Sequence, residues 1–344
     1  MNPPPTDQLL TLTDEEIQRL DVLFLAKYPP KPGAPPPPEV DPVIGRERLT
    51  KWEVFNALQS LGLTLSTVET LEEFKRYTGS ANYVFCLFNR EDIRNPETVV
   101  ASLCAQRRLP HLGAPPNLRA MAEDKFLTKS VAAYAGLPVA PGVTYVDLDD
   151  LAVPPPFEGP YFAKPRFGAN SEGITAEAAQ PDWSRLKPVV GKLIEDGEEV
   201  LVEPLLAGRD ITVTVLGGRP NFALTPTVFK SELPYGIATE GQKRLLEGGR
   251  SGGPLEDSEL SKTVMNLALE FAAYCKPFDY MRVDFRQTLT DRRLSLLEFN
   301  LTSNLGTHGA TGIAIRNDRI SHVDLIQHLV AYSTRRQKVL LPQT

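Results

Sequence analysis

Cysteine and histidine are scarce here: 344 residues hold three cysteines and four histidines. Cys86, Cys104 and Cys275 are odd in number, far apart and set among apolar residues. That excludes a disulfide-stapled scaffold and points to buried free thiols in a reducing compartment. His111, His308, His322 and His328 do not fall at metal-ligand spacings, so a zinc site of imidazoles and thiolates is not expected. Positive charge is in deficit too: 37 Lys and Arg against 43 Asp and Glu give a net charge of −6. Nothing pulls such a chain generally toward nucleic acid or an anionic membrane. No apolar run approaches the ~20 residues of a membrane span. The opening "MNPPPTDQLL" lacks a charged segment followed by an apolar one, so no signal peptide is expected. The location expected is cytoplasmic, with neither nucleic acid nor membrane as partner. Also missing are GxGxxG after a strand, a Walker A loop, GxSxG, HExxH and CxxC.

What is abundant is proline and glycine, 31 and 24 residues. "KYPPKPGAPPPPEVDP", residues 27–42, is too proline-rich for a helix or central strand and reads as an extended loop. Around it, apolar patterning alternates between strand and helix. Thr13-Asp14-Glu15-Glu16 opens a short helix with a capping box. Asp21–Ala26 is a buried strand. A helix runs from Leu49 through Trp52, Val54, Phe55 and Leu58 to a stop at Gly62. "ANYVFCLFN" is a strand, and Pro96–Arg108 a helix. This alternation predicts an α/β first domain over residues 1–112.

Further on, a helix from Met121 to a Gly136-Leu137-Pro138 stop is followed by a strand. "PYFAKPRFGANSEGIT" reads as a strand, a glycine-rich turn and a second strand. "EEVLVEPLLAGRDITVTVLGGRPNFALTPT" carries three short strands with turns at Gly208 and Gly217-Gly218. "YGIATEGQKRLLEGGRSGGP" reads as a polar mobile loop, "LSKTVMNLALEFAAYC" as a helix, "DYMRVDFRQTLTDRRLSLLEFN" as a hairpin, and "SHVDLIQHLVAYSTRR" as the last helix.

The hairpin carries the chemistry. Strand alternation puts Arg282, Asp284 and Arg286 on one face, and Leu296, Glu298 and Asn300 on one face of the return strand. A turn centred on Asp291 sets Asp284 opposite Glu298 and Arg282 opposite Asn300. Two facing carboxylates repel by about 4 kcal/mol at ~4 Å in an effective dielectric near 20. Arg282 offsets part of this; a divalent cation offsets it better. Asp, Glu and Asn oxygens are hard ligands suited to Mg²⁺, which favours phosphate oxygens as its other partners. From this pattern alone a solvated hairpin face and a metal site stand as equals.

Other strand ends add weight. Lys164 precedes a turn holding Asn170 and Ser171, whose backbone N–H groups suit phosphate oxygens. Glu203 ends a strand beside apolar backbone, an acceptor for an adenine edge. Asp210 opens the next strand as an acceptor for ribose hydroxyls. Lys125, in the first turn of a helix, opposes the dipole and invites an anion.

These segments, in order, resemble those of the ATP-grasp superfamily, and within it the D-alanine–D-alanine ligases. "MAEDKFLTKSVAAYAGLPVAP", "YFAKPRFGANSEGIT", "VLVEPLLAGRDITVTVLGG" and "MRVDFRQ" with "LLEFN" are similar to that family's motifs over residues 80–310. The resemblance implies an ATP-grasp fold, α/β with α+β character. An N-terminal domain (1–112) precedes a central lobe (113–195) and a C-terminal lobe (196–344) that clamp the nucleotide. It implies ATP and Mg²⁺, with Mn²⁺ as a substitute. Asp284, Glu298 and Asn300 match the metal ligands, and Lys125, Lys164 and a looser match, Lys243, the phosphate-binding lysines. Glu203, with the backbone of Pro204 and Leu206, matches the adenine site, and Asp210 the ribose acid. Asn170 and Ser171 lie in the phosphate flap. Arg282 matches the arginine on the reacting carboxylate.

The departures concern substrate. Asn304 stands where the family has a glycine whose N–H faces the tetrahedral intermediate. Gly309 follows His308 where a serine commonly holds the second substrate's carboxylate. The family's N-terminal glutamate for the first D-alanine is not visible. The resemblance therefore implies amide formation through an acyl phosphate, from a small carboxylate and an amine of amino-acid type. Substrates other than two D-alanines are expected, and a homodimer is compatible with it. The alternatives are a D-alanine–D-alanine ligase itself and a non-catalytic nucleotide-binding protein.

Overall fold

The structure, a computed structural model, describes residues 5–38, 42–89, 96–168, 171, 174–232, 234–237 and 250–339. The capping box is present: Thr13 Oγ1 accepts from the Glu16 N–H at 3.2 Å and Glu16 Oε2 from the Thr13 N–H at 2.9 Å. It opens the helix Asp14–Arg19. Strands β1 (Asp21–Leu25), β2 (Thr64–Val68) and β3 (Tyr83–Cys86) form a parallel sheet in the order β2-β1-β3. Val22 to Leu25 are all fully buried, because a central parallel strand is covered on both faces.

The helix expected from Leu49 spans Pro42–Ser60. Its first turns carry Arg46, Glu47 and Arg48, which show no apolar period, and proline is tolerated where a helix begins. Residues 27–38 hold no regular element, as the proline content requires, and Trp52 Nε1 ties them down by donating to the Ala34 carbonyl at 2.7 Å.

A second sheet combines β4 (Val143–Tyr145), β5 (Tyr161–Pro165), β6 (Ala179–Gln180) and β7 (Val200–Pro204) in the antiparallel order β4-β7-β5-β6. It packs on the helix Trp183–Glu195 through Tyr145, Ala163, Leu186, Val190, Val200 and Val202. β7 lies past residue 195 yet belongs to this sheet. The second strand read from Ile174 is delayed: a 3-10 turn, Ala176–Ala178, intervenes before the short β6. The helix expected from Met121 is two, Pro116–Glu123 and Lys125–Tyr134, parted at Asp124. The Asp124 carboxylate caps the second by accepting from the Phe126 and Leu127 amides, each at 3.0 Å.

The third sheet is antiparallel and has six strands: β8 (Gly208–Leu216), β9 (Phe222–Ala223), β10 (Thr227–Ser231), β11 (Arg250–Pro254), β12 (Tyr280–Thr288) and β13 (Leu294–Asn300). The order is β11-β10-β8-β12-β13, with β9 also on β8. Gly208, expected in a turn, starts β8 instead; a Cβ there would collide with the Gln287 carbonyl, so glycine permits close backbone approach. β10 and the helix Ala310–Asn317 were not anticipated, and β11 corrects the end of the segment read as a mobile loop from Tyr235, of which residues 238–249 lie outside the described residues. The helix Ser258–Tyr274 closes the underside through Val264, Ala268, Phe271 and Ala272. The final helix, His322–Arg336, shares a core with the first lobe, where Leu325, Leu329 and Val330 meet Phe55, Leu58 and Phe85. Among the described residues no helix is long and apolar enough to cross a membrane.

Candidate active site

The register expected for the hairpin is present at its far end: Arg282 pairs with Asn300 and Asp284 with Glu298. Nearer the turn the pairing is shifted by one, Phe285 facing Leu296 and Arg286 facing Ser295. The step is a β-bulge in which Leu297 is the extra residue. It corrects one expectation. Leu296 does not share the polar face but is fully buried with Phe285 and Phe299, while Leu297 turns into the cleft beside Glu298.

Asp284 is held from three sides. Arg282 grips it with Nε at 3.1 Å from both carboxylate oxygens and Nη2 at 2.8 Å. The Thr212 hydroxyl donates to Oδ1 at 2.7 Å, and Asn300 Nδ2 donates to Oδ2 at 3.3 Å. Arg282 thus supplies the positive charge that facing carboxylates require. Among the described residues no cluster of three His, Cys, Asp or Glu could hold a metal by itself. Two carboxylates and one amide oxygen fit an ion that takes its remaining ligands from water and phosphate, as Mg²⁺ does.

A single cleft runs between the second and third sheets. Lys125, Lys164, Glu203, Pro204, Asp210 and Glu298 line it, with Phe162, Ile174, Leu206, Ile237 and Leu297 as its apolar walls. Pairing of β5 with β7 sets Phe162 opposite Glu203 and Lys164 opposite Leu201, so Lys164 and Glu203 are diagonal neighbours on one face. Their ion pair is 2.5 Å long. The other Glu203 oxygen pairs with Lys129. Burial pushes the Lys164 ammonium down to about 8, against the opposing pull of Glu298. Burial and the charge of Lys164 push Lys129 down to about 6. Lys125 donates to the carbonyls of Phe167 at 3.0 Å and Gly168 at 2.6 Å, which fixes the start of the glycine-rich turn. Ser171 also borders the cleft, with a positive φ of 61°. Arg286 ties β12 to β8 and to the segments at 206 and 235–236, donating to Asp210 at 2.6 Å and to the carbonyls of Leu206, Tyr235 and Gly236. Asn170 and Lys243 lie outside the described residues.

The loop after β13 docks on the helix Pro42–Ser60. Glu53 accepts from the Thr307 N–H at 2.9 Å and its hydroxyl at 2.6 Å. Asn304 turns its side-chain oxygen inward, to the Gly306 N–H at 2.6 Å and Thr50 Oγ1 at 3.5 Å. Its φ is not positive, so a non-glycine residue stands there without strain. His308 is half-buried; burial lowers its pKa, with Glu53 opposing and Arg46 and Arg316 adding to the shift. Gly309 begins the helix Ala310–Asn317 with no side-chain cap. None of Asn304, His308 and Gly309 borders this cleft.

Sequence reasoning missed Lys129, Thr212 and Glu53; it set Arg286 on the polar face but not its bond to Asp210. Lys129 was within reach, since it stands four residues after Lys125 on the same helical face. Thr212 and Glu53 act only through tertiary contacts and leave no local signal.

No family model matches the chain. It is 26% identical over 276 residues to the D-alanine–D-alanine ligase of Desulfovibrio desulfuricans, across 79% of this chain and 86% of that one. Its identity to the D-alanine–D-alanine ligase of Gluconobacter oxydans is 31% over 197 residues, 56% of this chain and 61% of the relative. Among solved structures, a D-alanine–D-alanine ligase from Bacillus anthracis complexed with ATP matches with a TM-score of 0.67 at 16% identity, covering 92% of this chain and 99% of that one. A D-Ala:D-Ser ligase from Enterococcus faecalis matches with a TM-score of 0.70 at 14% identity, covering 91% and 99%. The chain has the ATP-grasp fold, and its sequence resembles the D-alanine–D-alanine ligases.

Proposed function

From that fold and that likeness, we propose that the protein is an ATP-dependent carboxylate–amine ligase that forms a carbon–nitrogen bond, with substrates other than two D-alanines. One observation carries the reading. The Asp284–Glu298 and Arg282–Asn300 pairs lie on the third sheet, and one cleft receives Glu298 from that sheet, Lys164 from the second and Lys125 from the start of the helix Lys125–Tyr134. In this proposal the lobes meet near residues 112 and 204.

ATP lies between the two sheets, its base against Glu203 and the backbone of Pro204 and Leu206, its ribose at Asp210. Lys125 and Lys164 bind its phosphates, with Ser171 at the flap. Asn170 and Lys243 belong to this set by resemblance alone. Asp284, Glu298 and Asn300 hold Mg²⁺, which when bound neutralises the phosphate charge. The substrate carboxylate attacks the γ-phosphorus and ADP leaves, giving an acyl phosphate. An amine then attacks the acyl carbon, inorganic phosphate departs and the amine loses a proton. Arg282 orients the reacting carboxylate by charge, and the Asn304 N–H faces the tetrahedral intermediate. Positioning and charge stabilisation dominate such chemistry. His308 and Gly309 border the amine substrate.

The distinctive loop supports altered substrates. Asn304 is tied to Thr50 and to the Gly306 amide, and Thr307, beside His308, to Glu53, so this region would recognise its ligand through a polar set of its own. The test is ADP release over pairs of amino acids and small carboxylates. We expect a pair other than two D-alanines to be fastest. D-alanine alone reaching the highest rate overturns the altered-substrate part. No amine-dependent ADP release from any pair overturns the ligase reading and leaves a nucleotide-binding protein.

A further inference from the structure

Glu203 poses a difficulty for its own role. It is 4% exposed, and both its carboxylate oxygens are already taken by lysines, Oε1 by Lys129 and Oε2 by Lys164. Each oxygen therefore already faces a lysine before any base is bound. The lysines are not equivalent. Lys164 borders the cleft, whereas Lys129 does not. Lys129 is 4% exposed and its ammonium makes no other hydrogen bond among the described residues. It reaches Glu203 from the helix Lys125–Tyr134, behind the cavity wall.

We propose that Lys129 is a positioning residue of the nucleotide site. It fixes Glu203 from behind, so that Lys164 can leave Glu203 for a phosphate while the carboxylate stays aimed at an amino group on the base. Base recognition and phosphate binding are then coupled through one side chain. Lys129 remains on Glu203 throughout. The inference rests on the cleft being a nucleotide site.

The experiment is calorimetric binding of ATP and of inosine triphosphate, which carries a 6-oxo group where ATP has an amino group, to the full chain. The wild type binds ATP more tightly. In Lys129→Gln, Lys164 is the sole cation left to Glu203 and stays on it. The preference for ATP then falls roughly tenfold, the loss of one charge-assisted hydrogen bond to the base. Lys129→Arg, which restores the charge, restores the preference. Equal weakening of both nucleotides by Lys129→Gln, with the ratio unchanged, overturns the proposal in favour of a merely structural lysine. A second arm avoids dependence on the folding of that variant. In a Glu203→Gln background the preference is already lost, and adding Lys129→Gln changes it no further; an additional fall in the ratio overturns action through Glu203. A wild type that binds neither nucleotide overturns the reading of the cleft, and this inference with it.

Discussion

Replacing Glu298 with glutamine tests the proposed metal site through two quantities that respond differently. In the free protein Glu298 faces Asp284 and repels it, and it attracts Lys164 and Arg282. At an effective dielectric near 20, a pair ~5 Å apart is worth about 3 kcal/mol and one ~10 Å apart about 1.7 kcal/mol. Removing the charge therefore deletes one repulsion of about 3 kcal/mol, from the facing carboxylate, and two attractions of about 1.7 kcal/mol each, from the more distant cations. The terms nearly cancel, and folding stability changes by about 1–2 kcal/mol, a few degrees in melting temperature. Catalysis has no such compensation. If Glu298 helps bind Mg²⁺, its loss costs at least about a hundredfold in ADP release, since even residues that merely support a metal ligand cost 10–100-fold. The assay is ADP release against Mg²⁺ concentration, beside melting without metal. Wild-type turnover at every Mg²⁺ concentration refutes the metal assignment. A variant that is inactive because it no longer melts cooperatively refutes the cancellation.

Two further outcomes follow from the burial of Lys164 and the packing at Gly306. Burial holds Lys164 near 8, below its ordinary 10.5, so the ammonium discharges in the free protein as pH rises through about 8. Nucleotide affinity then falls, by up to about tenfold per pH unit, because a proton must be recruited on binding. Stability has the opposite sign: between about 8 and 10.5 the unfolded chain holds the proton that the folded chain has lost, so this lysine's contribution rises with pH. Binding calorimetry and melting across that window, with Lys164→Met lacking both slopes, check the pair. At Gly306 a Cβ would stand 2.6 Å from Thr50 Oγ1 and 2.9 Å from Asn304 Oδ1. Gly306→Ala should raise the KM for the amine roughly tenfold while leaving that for ATP unchanged, and equal changes in both would remove this loop from the substrate site.

The facing of Asp284 and Glu298 was legible in the sequence, though not for the reason first apparent. Alternation and a turn centre gave the right pairs because the turn is displaced and a bulge at Leu297 restores the count. The bulge itself left no trace, since "LSLLEF" places two leucines side by side and either one suits the core. Helix starts were late where polar first turns hide the period, as at Arg46–Arg48. Gly208 was misread because a glycine that admits a neighbouring backbone looks, in one dimension, like one that makes a turn. Lys125, Lys164, Glu203 and Asp210 were found because each stands at the end of an element. Lys129, Thr212 and Glu53 were not, because their partners come from distant segments.

The shared core of the first lobe and the last helix bears on how the chain comes to be folded at all. The Leu10 amide donates to His328 Nδ1 at 3.0 Å, a contact between residues 318 apart. Glu16 meets Arg335 in the same region at 2.7 Å. At a synthesis rate of roughly 5–20 residues per second, the N-terminal elements wait about 15–60 s for those partners to emerge. The loop carrying Asn304 and His308 waits with them, since its supports, Thr50 and Glu53, belong to that lobe. The lobe made first is thus completed last, and the proposed substrate loop takes shape only when the two ends of the chain have met.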